Sequence, residues 1–388
     1  MMKQLLDSMI EQNLANGQFV GANAAVYRDG ECLYLHSAGM ADKERGRAMT
    51  PDTIFRIYSL TKPVTAVAVM QLVEQGRLHP DFPVSWYLPE FRDPKVYEAD
   101  GSVRPAAREI LVQDLLNMTS GLPYPNCLNR TQQDVASFYG DMAEVRDTPQ
   151  AIDTMEYCRR MAAIPLEFDP GTHWDYGTSA DILGGVVQAV SGTEYREYLR
   201  QNIFLPLGME DTDFYVPKEK QARFAQAYMQ SEDGLVPDTD CHLGLNNYLT
   251  LPAFISGGAG LCSTITDYAR FANTLANGGT SKEGVRILGR QALDYIRTPQ
   301  VMGEGFRQDQ QWDSLRGYDY GSLVRVLTNK ARAGTIASLG EYGWDGWTGT
   351  YFCVDPAEKL SILFWIQVAN AGTSPAAKLM RNIVYGAL

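Results

Sequence analysis

Strand-forming runs lie at the two ends of this chain and helical pattern fills the middle, and this distribution narrows the possible folds most. Residues 23–27 and 32–37 are short β-rich runs joined by Arg28-Asp29-Gly30-Glu31. Asp-Gly between two such runs is a strong hairpin signal. Strand pattern returns over residues 321–327, 348–354 and 360–368, the last two joined by the turn Asp355-Pro356-Ala357-Glu358-Lys359. Between these ends, from about 80 to 250, helical pattern alternates with proline and aromatic loops, as over 112–118, 151–161 and 179–190. Strands at both ends with helices between imply that the termini share one sheet. The expected fold class is α+β: an antiparallel sheet flanked by helices, with an inserted, mostly helical domain. Residues 1–79 and 251–388 would form the discontinuous sheet domain, residues 80–250 the insertion, and a ligand cleft would open between them. A length of 388 residues is too great for one small core and agrees with this division. An amphipathic helix with Leu5, Leu6, Met9, Ile10 and Leu14 on one face begins the chain, and a helix over about 376–385 ends it.

Ser59 stands at the seam, where the chain leaves the N-terminal strands. In Ser59-Leu60-Thr61-Lys62-Pro63 a serine and a lysine lie three residues apart at the start of a helix. Residues 64–72 are apolar nearly all round, the pattern of a buried helix, and Gly76 marks its stop. Pro63 fixes the start, since proline has no N–H and is tolerated only in the first turn. Ser59 then sits at or next to the N-cap. Residues three apart share a helix face, so Ser59 Oγ and the Lys62 amine can meet. The positive end of the helix dipole and its unpaired N–H groups favour a negative oxygen there. Ordinary capping by serine gives the same local pattern, so these residues alone do not decide for catalysis.

Composition removes several classes. A net charge of -12 argues against nucleic acid and anionic membrane as partners. No apolar run is long enough to span a bilayer, and residues 1–18 lack the apolar core of a signal peptide, so a cytoplasmic location is expected. The six cysteines form no C-x-x-C pair, and Cys32, Cys262 and Cys353, in apolar contexts, read as reduced core residues. The four histidines (His36, His79, His173, His242) are dispersed and no H-E-x-x-H occurs. Neither a metal nor an organic cofactor is called for.

Two further stretches can carry chemistry. The turn-rich run from Phe168 to Thr178 contains Pro170-Gly171 and Tyr176 just before the helix beginning at Ser179. A phenol beside an ammonium group can act as a base when its pKa is lowered; a structural aromatic at a helix start is the other reading of Tyr176. His173 lacks a partner carboxylate and reads as a loop residue. Ser179 follows no strand and lacks one glycine of the G-x-S-x-G elbow, so it is set aside as a nucleophile. The other stretch runs from Gly343 to Phe352, at the start of a late strand. Its closely spaced glycines let backbone approach a ligand, making the Trp347 N–H a candidate oxyanion donor with the N–H of Ser59; a β-bulge or turn with buried tryptophans is the alternative.

Taken in order, these stretches resemble the serine β-lactamase and penicillin-binding-protein superfamily over nearly the whole chain. The segments Leu115-Leu116-Asn117-Met118-Thr119-Ser120-Gly121-Leu122 and Ser256-Gly257-Gly258-Ala259-Gly260-Leu261 belong to the same ordered set. The likeness is greatest to class C β-lactamases and the family VIII carboxylesterases built on that fold. It implies Ser59 as nucleophile, Lys62 as its proton-handling partner, Tyr176 as second base, and the N–H groups of Ser59 and Trp347 as oxyanion hole. It also places Thr178, Trp344, Asp345 and Gly346 beside substrate. Thr178 stands where β-lactamases have the amide of Y-x-N, and Trp344-Asp345-Gly346 where they have K-T-G. Asn117-Met118 departs from the usual Thr-His and reads as structural. A lysine at the Trp344 position would bind a substrate carboxylate, so its loss points to the esterase branch and small neutral esters. The alternatives are a class C-type β-lactamase, a D-amino-acid peptidase or amidase, an acyltransferase, and a non-catalytic binding or sensor protein. The partner implied is a small-molecule ester or amide, met by variable pocket walls within 95–150, 215–250 and 301–318.

Overall fold

The computed structural model describes residues 1–239, 242–244, 247–301 and 315–388; parts of the two later wall segments, 240–241, 245–246 and 302–314, lie outside the described residues. Both chain ends build one sheet. Its strands are β1 (Gly21–Arg28), β2 (Glu31–Asp42), β3 (Arg47–Ala48), β4 (Tyr318–Tyr320), β5 (Arg325–Leu327), β6 (Tyr342–Asp345), β7 (Thr350–Asp355) and β8 (Leu360–Trp365). Their order is β4-β5-β6-β7-β8-β1-β2-β3, with every neighbouring pair antiparallel. The closing pair joins the termini, with Asn23 opposite Trp365 and Arg28 opposite Leu360. The β1–β2 turn carries positive φ at both Asp29 (51°) and Gly30 (75°), the geometry that Asp-Gly supplies at low cost.

The central strands are apolar without alternation because the sheet is covered on both faces. Ala22, Ala24 and Val26 of β1, Tyr351 and Cys353 of β7, and Ile362 and Phe364 of β8 enter one cluster. The residues between them, Ala25, Phe352, Val354, Leu363 and Trp365, enter another. This period of two splits each strand between two cores. On the first face lie α1 (Met2–Ala15), through Leu6, Met9 and Ile10, and the C-terminal helix Pro375–Tyr385, through Ala377, Met380 and Val384. The second face is covered by the helix Ile265–Ala276 and, beneath it, by α2 (Thr61–Glu74). Every residue of α2 from Thr61 to Leu72 is buried, as its apolar circumference requires.

Several expectations change. Leu5 is half exposed, because the buried stripe of α1 is only as wide as Leu6, Met9 and Ile10. Cys32 is exposed at the start of β2, beyond the covered part of the sheet; Cys158 is buried instead, with Cys262 and Cys353. The run 321–327 is not one strand: it forms the turn and second strand of the β4–β5 hairpin, bent at Leu323 with φ 58°. A strand, β6, precedes the Gly346 turn. Among the described residues no helix is long and apolar enough to cross a membrane, and no cluster of His, Cys, Asp and Glu could hold a metal ion.

Candidate active site

Ser59 sits in a single 3-10 turn, Tyr58–Leu60, that runs directly into α2, one residue before its N-cap Leu60. The turn is held from every side. Thr61 Oγ1 donates to Tyr58 O at 2.6 Å and accepts from Leu261 N at 3.1 Å, while Ile57 N donates to Leu261 O at 3.0 Å and Tyr268 Oη donates to Leu60 O at 2.8 Å. That scaffold keeps Tyr58 at φ 43°, a left-handed conformation costing about 1–3 kcal/mol for a non-glycine residue. On the far side the turn between β6 and β7 presses on the same backbone. A Cβ on Gly346 would lie 2.4 Å from Ile57 O and 2.2 Å from Thr350 Oγ1, so only glycine fits there. Trp347 follows at once, and its N–H is carried by the segment that packs on the Ile57–Ser59 backbone.

Lys62 Nζ is the hub. It donates to Ser59 Oγ at 3.2 Å, to Tyr124 Oη at 2.8 Å and to Gly258 O at 2.9 Å. Complete burial pushes its pKa down to about 7, against the pull of the Asp181 and Asp345 carboxylates. The Gly258 carbonyl is placed by a loop that wedges between two helices. A Cβ on Gly257 would lie 2.2 Å from Ala180 O of α3 (Ser179–Ser191), and Thr65 Oγ1 of α2 donates to Gly257 O at 2.6 Å. Buried Asp181 accepts from Ser256 Oγ at 2.6 Å and from Gly258 N at 3.0 Å, which fixes the loop.

Tyr124 escaped the sequence reading. Gly177 brings it in, because a Cβ there would stand 2.0 Å from Leu122 O, and the bridge Pro123–Gly177 sets Tyr124 beside Tyr176 with ring centroids 5.6 Å apart. The one local signal was the proline on either side of Tyr124. Tyr176 is placed otherwise than expected. The Lys62 amine lies 4.5 Å from its ring centroid, and the Trp344 indole N–H donates to its oxygen at 2.9 Å. Burial pushes its pKa up, opposed by hydrogen bonds with Ser59 and Trp344, so it stands as a neutral phenol and not as a lowered-pKa base.

A cavity of about 550 Å³ opens over Ser59, walled by Tyr58, Tyr124, Tyr176, His242 and Trp347 and, opposite, by Asp345, the loop 370–373 and Lys378. His242 stacks on Trp347 at 3.8 Å, and burial pushes its imidazole down to about 4. Of the four expected substrate contacts, Asp345 lines this cavity. Gly346 packs beneath it. Trp344 is 2% exposed and supports Tyr176 from behind, and Thr178 is fully buried with its hydroxyl 3.4 Å from Leu122 O. Asp345 is itself answered: Arg325 Nη1 donates to its Oδ2 at 2.8 Å, and the Thr373 hydroxyl donates to the same oxygen. His173 is exposed against Thr172, and Ser179 is buried against Ser120 at 2.8 Å.

A serine in a strained turn, a desolvated amine on its hydroxyl and phenols around both define a site for acyl chemistry. The chain belongs to the family described as Beta-lactamase, whose pattern matches residues 6–384. It is a serine hydrolase of that family. It is 34% identical to Esterase EstB of Burkholderia gladioli over 98% of this chain and 94% of that one. It is 26% identical to the acyltransferase calJ of Penicillium decumbens over 90% of this chain and 84% of that protein. The solved structure of EstCE1, described as a hydrolase with promiscuous acyltransferase activity, superposes with a TM-score of 0.83 at 25% identity, covering 99% of this chain and 98% of that one.

Proposed function

We propose that the protein is a carboxylesterase acting on small, neutral esters through an acyl-enzyme on Ser59. The observation that carries this reading is the Lys62 amine, fully buried and hydrogen-bonded at once to Ser59 Oγ and Tyr124 Oη. Neutral Lys62 accepts the Ser59 proton as Oγ bonds to the ester carbonyl carbon. The resulting oxyanion rests on the N–H groups of Ser59 and Trp347. When the carbonyl re-forms, the C–O bond to the leaving alcohol breaks and that oxygen takes the proton back from Lys62. Tyr124 and Tyr176, neutral phenols, hold the leaving oxygen and then the incoming water. Water repeats the sequence, releases the acid and restores Ser59. The site lies in the cleft between the sheet unit and the helical middle of the chain. The aromatic walls and the answered charge of Asp345 support neutral substrates. The description of EstB as an esterase and of EstCE1 as a hydrolase supports this reading.

Lys62 sets the pH dependence. Below about 7 the amine is protonated and accepts nothing; above it the base is present. With p-nitrophenyl butyrate, kcat/KM should therefore climb through about pH 7 and level off above it. A flat profile from mildly acidic to mildly basic pH would remove Lys62 from the proton path.

A second reading is favoured by Lys378, an exposed cation on the cavity rim that could meet a substrate carboxylate. A charge-assisted hydrogen bond of about 1.5–3 kcal/mol corresponds to roughly 10- to 150-fold in rate or affinity. The two readings separate in kcat/KM for p-nitrophenyl butyrate and nitrocefin on one preparation. The ester should win by at least about tenfold, in keeping with the loss of one such bond. Equal or better turnover of nitrocefin would make the protein a β-lactamase.

A further inference from the structure

Beside the acyl cavity, and sharing Thr373 and Lys378 with it, is a second cavity of about 300 Å³. It lies between β4, β5, the short helix Lys330–Ala333 and the C-terminal helix, and five cations line it: Arg316, Arg325, Arg332, Lys378 and Arg381. Such a gathering runs against the charge of the whole chain, which is -12. Two of the five are buried. The Arg325 side chain is 1% exposed and that of Arg381 4%.

Neither buried guanidinium is satisfied by the protein. Arg325 spends Nη1 on Asp345 Oδ2, at 2.8 Å, and on Thr373 Oγ1, at 3.1 Å, while its Nε and Nη2 have no acceptor. Those two nitrogens form one edge of the guanidinium, the fork that pairs with two oxygens of a carboxylate or phosphate. Arg381 donates from Nη1 to the Tyr318 hydroxyl and faces Glu341 Oε2 at 3.6 Å, and its Nε has no acceptor either. A buried donor left unpaired is costly, and more so when it is charged. Aromatic rings take part of the load: Arg325 lies 5.0 Å from the Tyr351 centroid and Arg381 5.7 Å from that of Tyr318. A ring face does not accept the N–H fork.

We propose that this pocket binds a phosphoryl dianion, either inorganic phosphate or the phosphate of a phosphomonoester. The unpaired donors are buried beside the pocket on two elements, β5 and the C-terminal helix, and Arg332 lines it from a third. Cations set on three separate elements around one pocket suit a tetrahedral group with three or four oxygens better than a planar carboxylate with two. Through Thr373 and Lys378 the bound group would touch the wall of the acyl cavity, so it can act as a free ligand beside a neutral ester or as the charged tail of an ester whose reacting end alone is neutral.

Calorimetry on the intact protein tests this without any turnover, so failure of the esterase reading leaves the result standing. Sodium phosphate, titrated at constant ionic strength and mildly basic pH, should bind saturably at one site per chain. The variant Arg316→Ala/Arg332→Ala, altered only at exposed rim positions, should lose at least about tenfold in affinity, the scale of one lost charge-assisted bond. Its turnover of p-nitrophenyl butyrate in phosphate-free buffer should be unchanged within about twofold, since surface changes away from a site are nearly neutral. Acetate should bind far more weakly than phosphate. Comparing 1-butyrylglycerol with its 3-phosphate separates the two sources: a markedly lower KM for the phosphorylated ester makes the anion part of the substrate, and equal KM values make it a free ligand. Absence of saturable phosphate binding, acetate binding as well as phosphate, or full affinity in the double variant would each overturn the proposal.

Discussion

Ser59→Ala is expected to lower kcat/KM for p-nitrophenyl butyrate by roughly 10⁴- to 10⁶-fold, the range seen when a serine nucleophile is removed. The loss should fall on kcat, because the hydroxyl forms its bond only on the way to the acyl-enzyme and contributes little to holding substrate. The fold should not suffer, since the turn is held by hydrogen bonds of the neighbours Ile57, Leu60 and Thr61 and not by the Ser59 side chain. An activated phosphonate should add its mass to the peptide containing Ser59 in the native protein and to nothing in the variant. Labelling that persists in Ser59→Ala, or that lands on Ser179, would refute the assignment of the nucleophile.

The second large effect concerns the hub around Lys62. Lys62→Ala should reduce kcat by about 10²- to 10⁴-fold, the usual worth of a general base. Tyr124→Phe should also reduce kcat, by less, because it removes one of three hydrogen bonds made by the amine. The informative measurement is the pair. If Tyr124 acts through Lys62, the double variant will be little worse than Lys62→Ala alone, as for residues that work as a unit. Losses that simply multiply would show that the two act on different steps. Tyr176→Phe provides the contrast, since its oxygen is held by Ser59 and Trp344 and its ring, not its hydroxyl, faces the amine.

How much of this was legible depends on the range over which each feature is set. Ser59 and Lys62 are three residues apart in a helical register that Pro63 and the apolar run after it fix, so local rules suffice. The sheet was readable because its central strands carry β-rich runs and a turn that admits few residues. Tyr124 was not readable, because its place depends on Gly177 lying against Leu122, a contact between segments more than fifty residues apart. Trp344 shows a different failure. On strand β6, successive side chains point to opposite faces, so Trp344 and Asp345 cannot both line the cavity. Asp345 does, and Trp344 supports Tyr176 from the other side. Once β6 is recognised as a strand the alternation decides the matter. The closely spaced glycines around it made it read as the entry to the following strand. The buried Arg325 left no mark in the sequence, since nothing local distinguishes an arginine that will end beneath a pocket from one that will face water.

The pairing of β1 with β8 joins Asn23 to Trp365, and the Gly346 turn seats against Ile57. Ser59, the proposed nucleophile, is thus encoded early in the chain, while part of the surface that shapes its turn is encoded near the end. During synthesis Ser59 leaves the ribosome long before β6, β7 and β8 exist, and in that interval it is an ordinary serine beside an amine still open to water. Removal of the last strands, by premature termination or by proteolysis, returns it to that condition even though every residue of the Ser59–Lys62 pair is intact. On the proposed mechanism, competence to form an acyl-enzyme depends on completion of the sheet, and a half-made or clipped molecule would be a silent one.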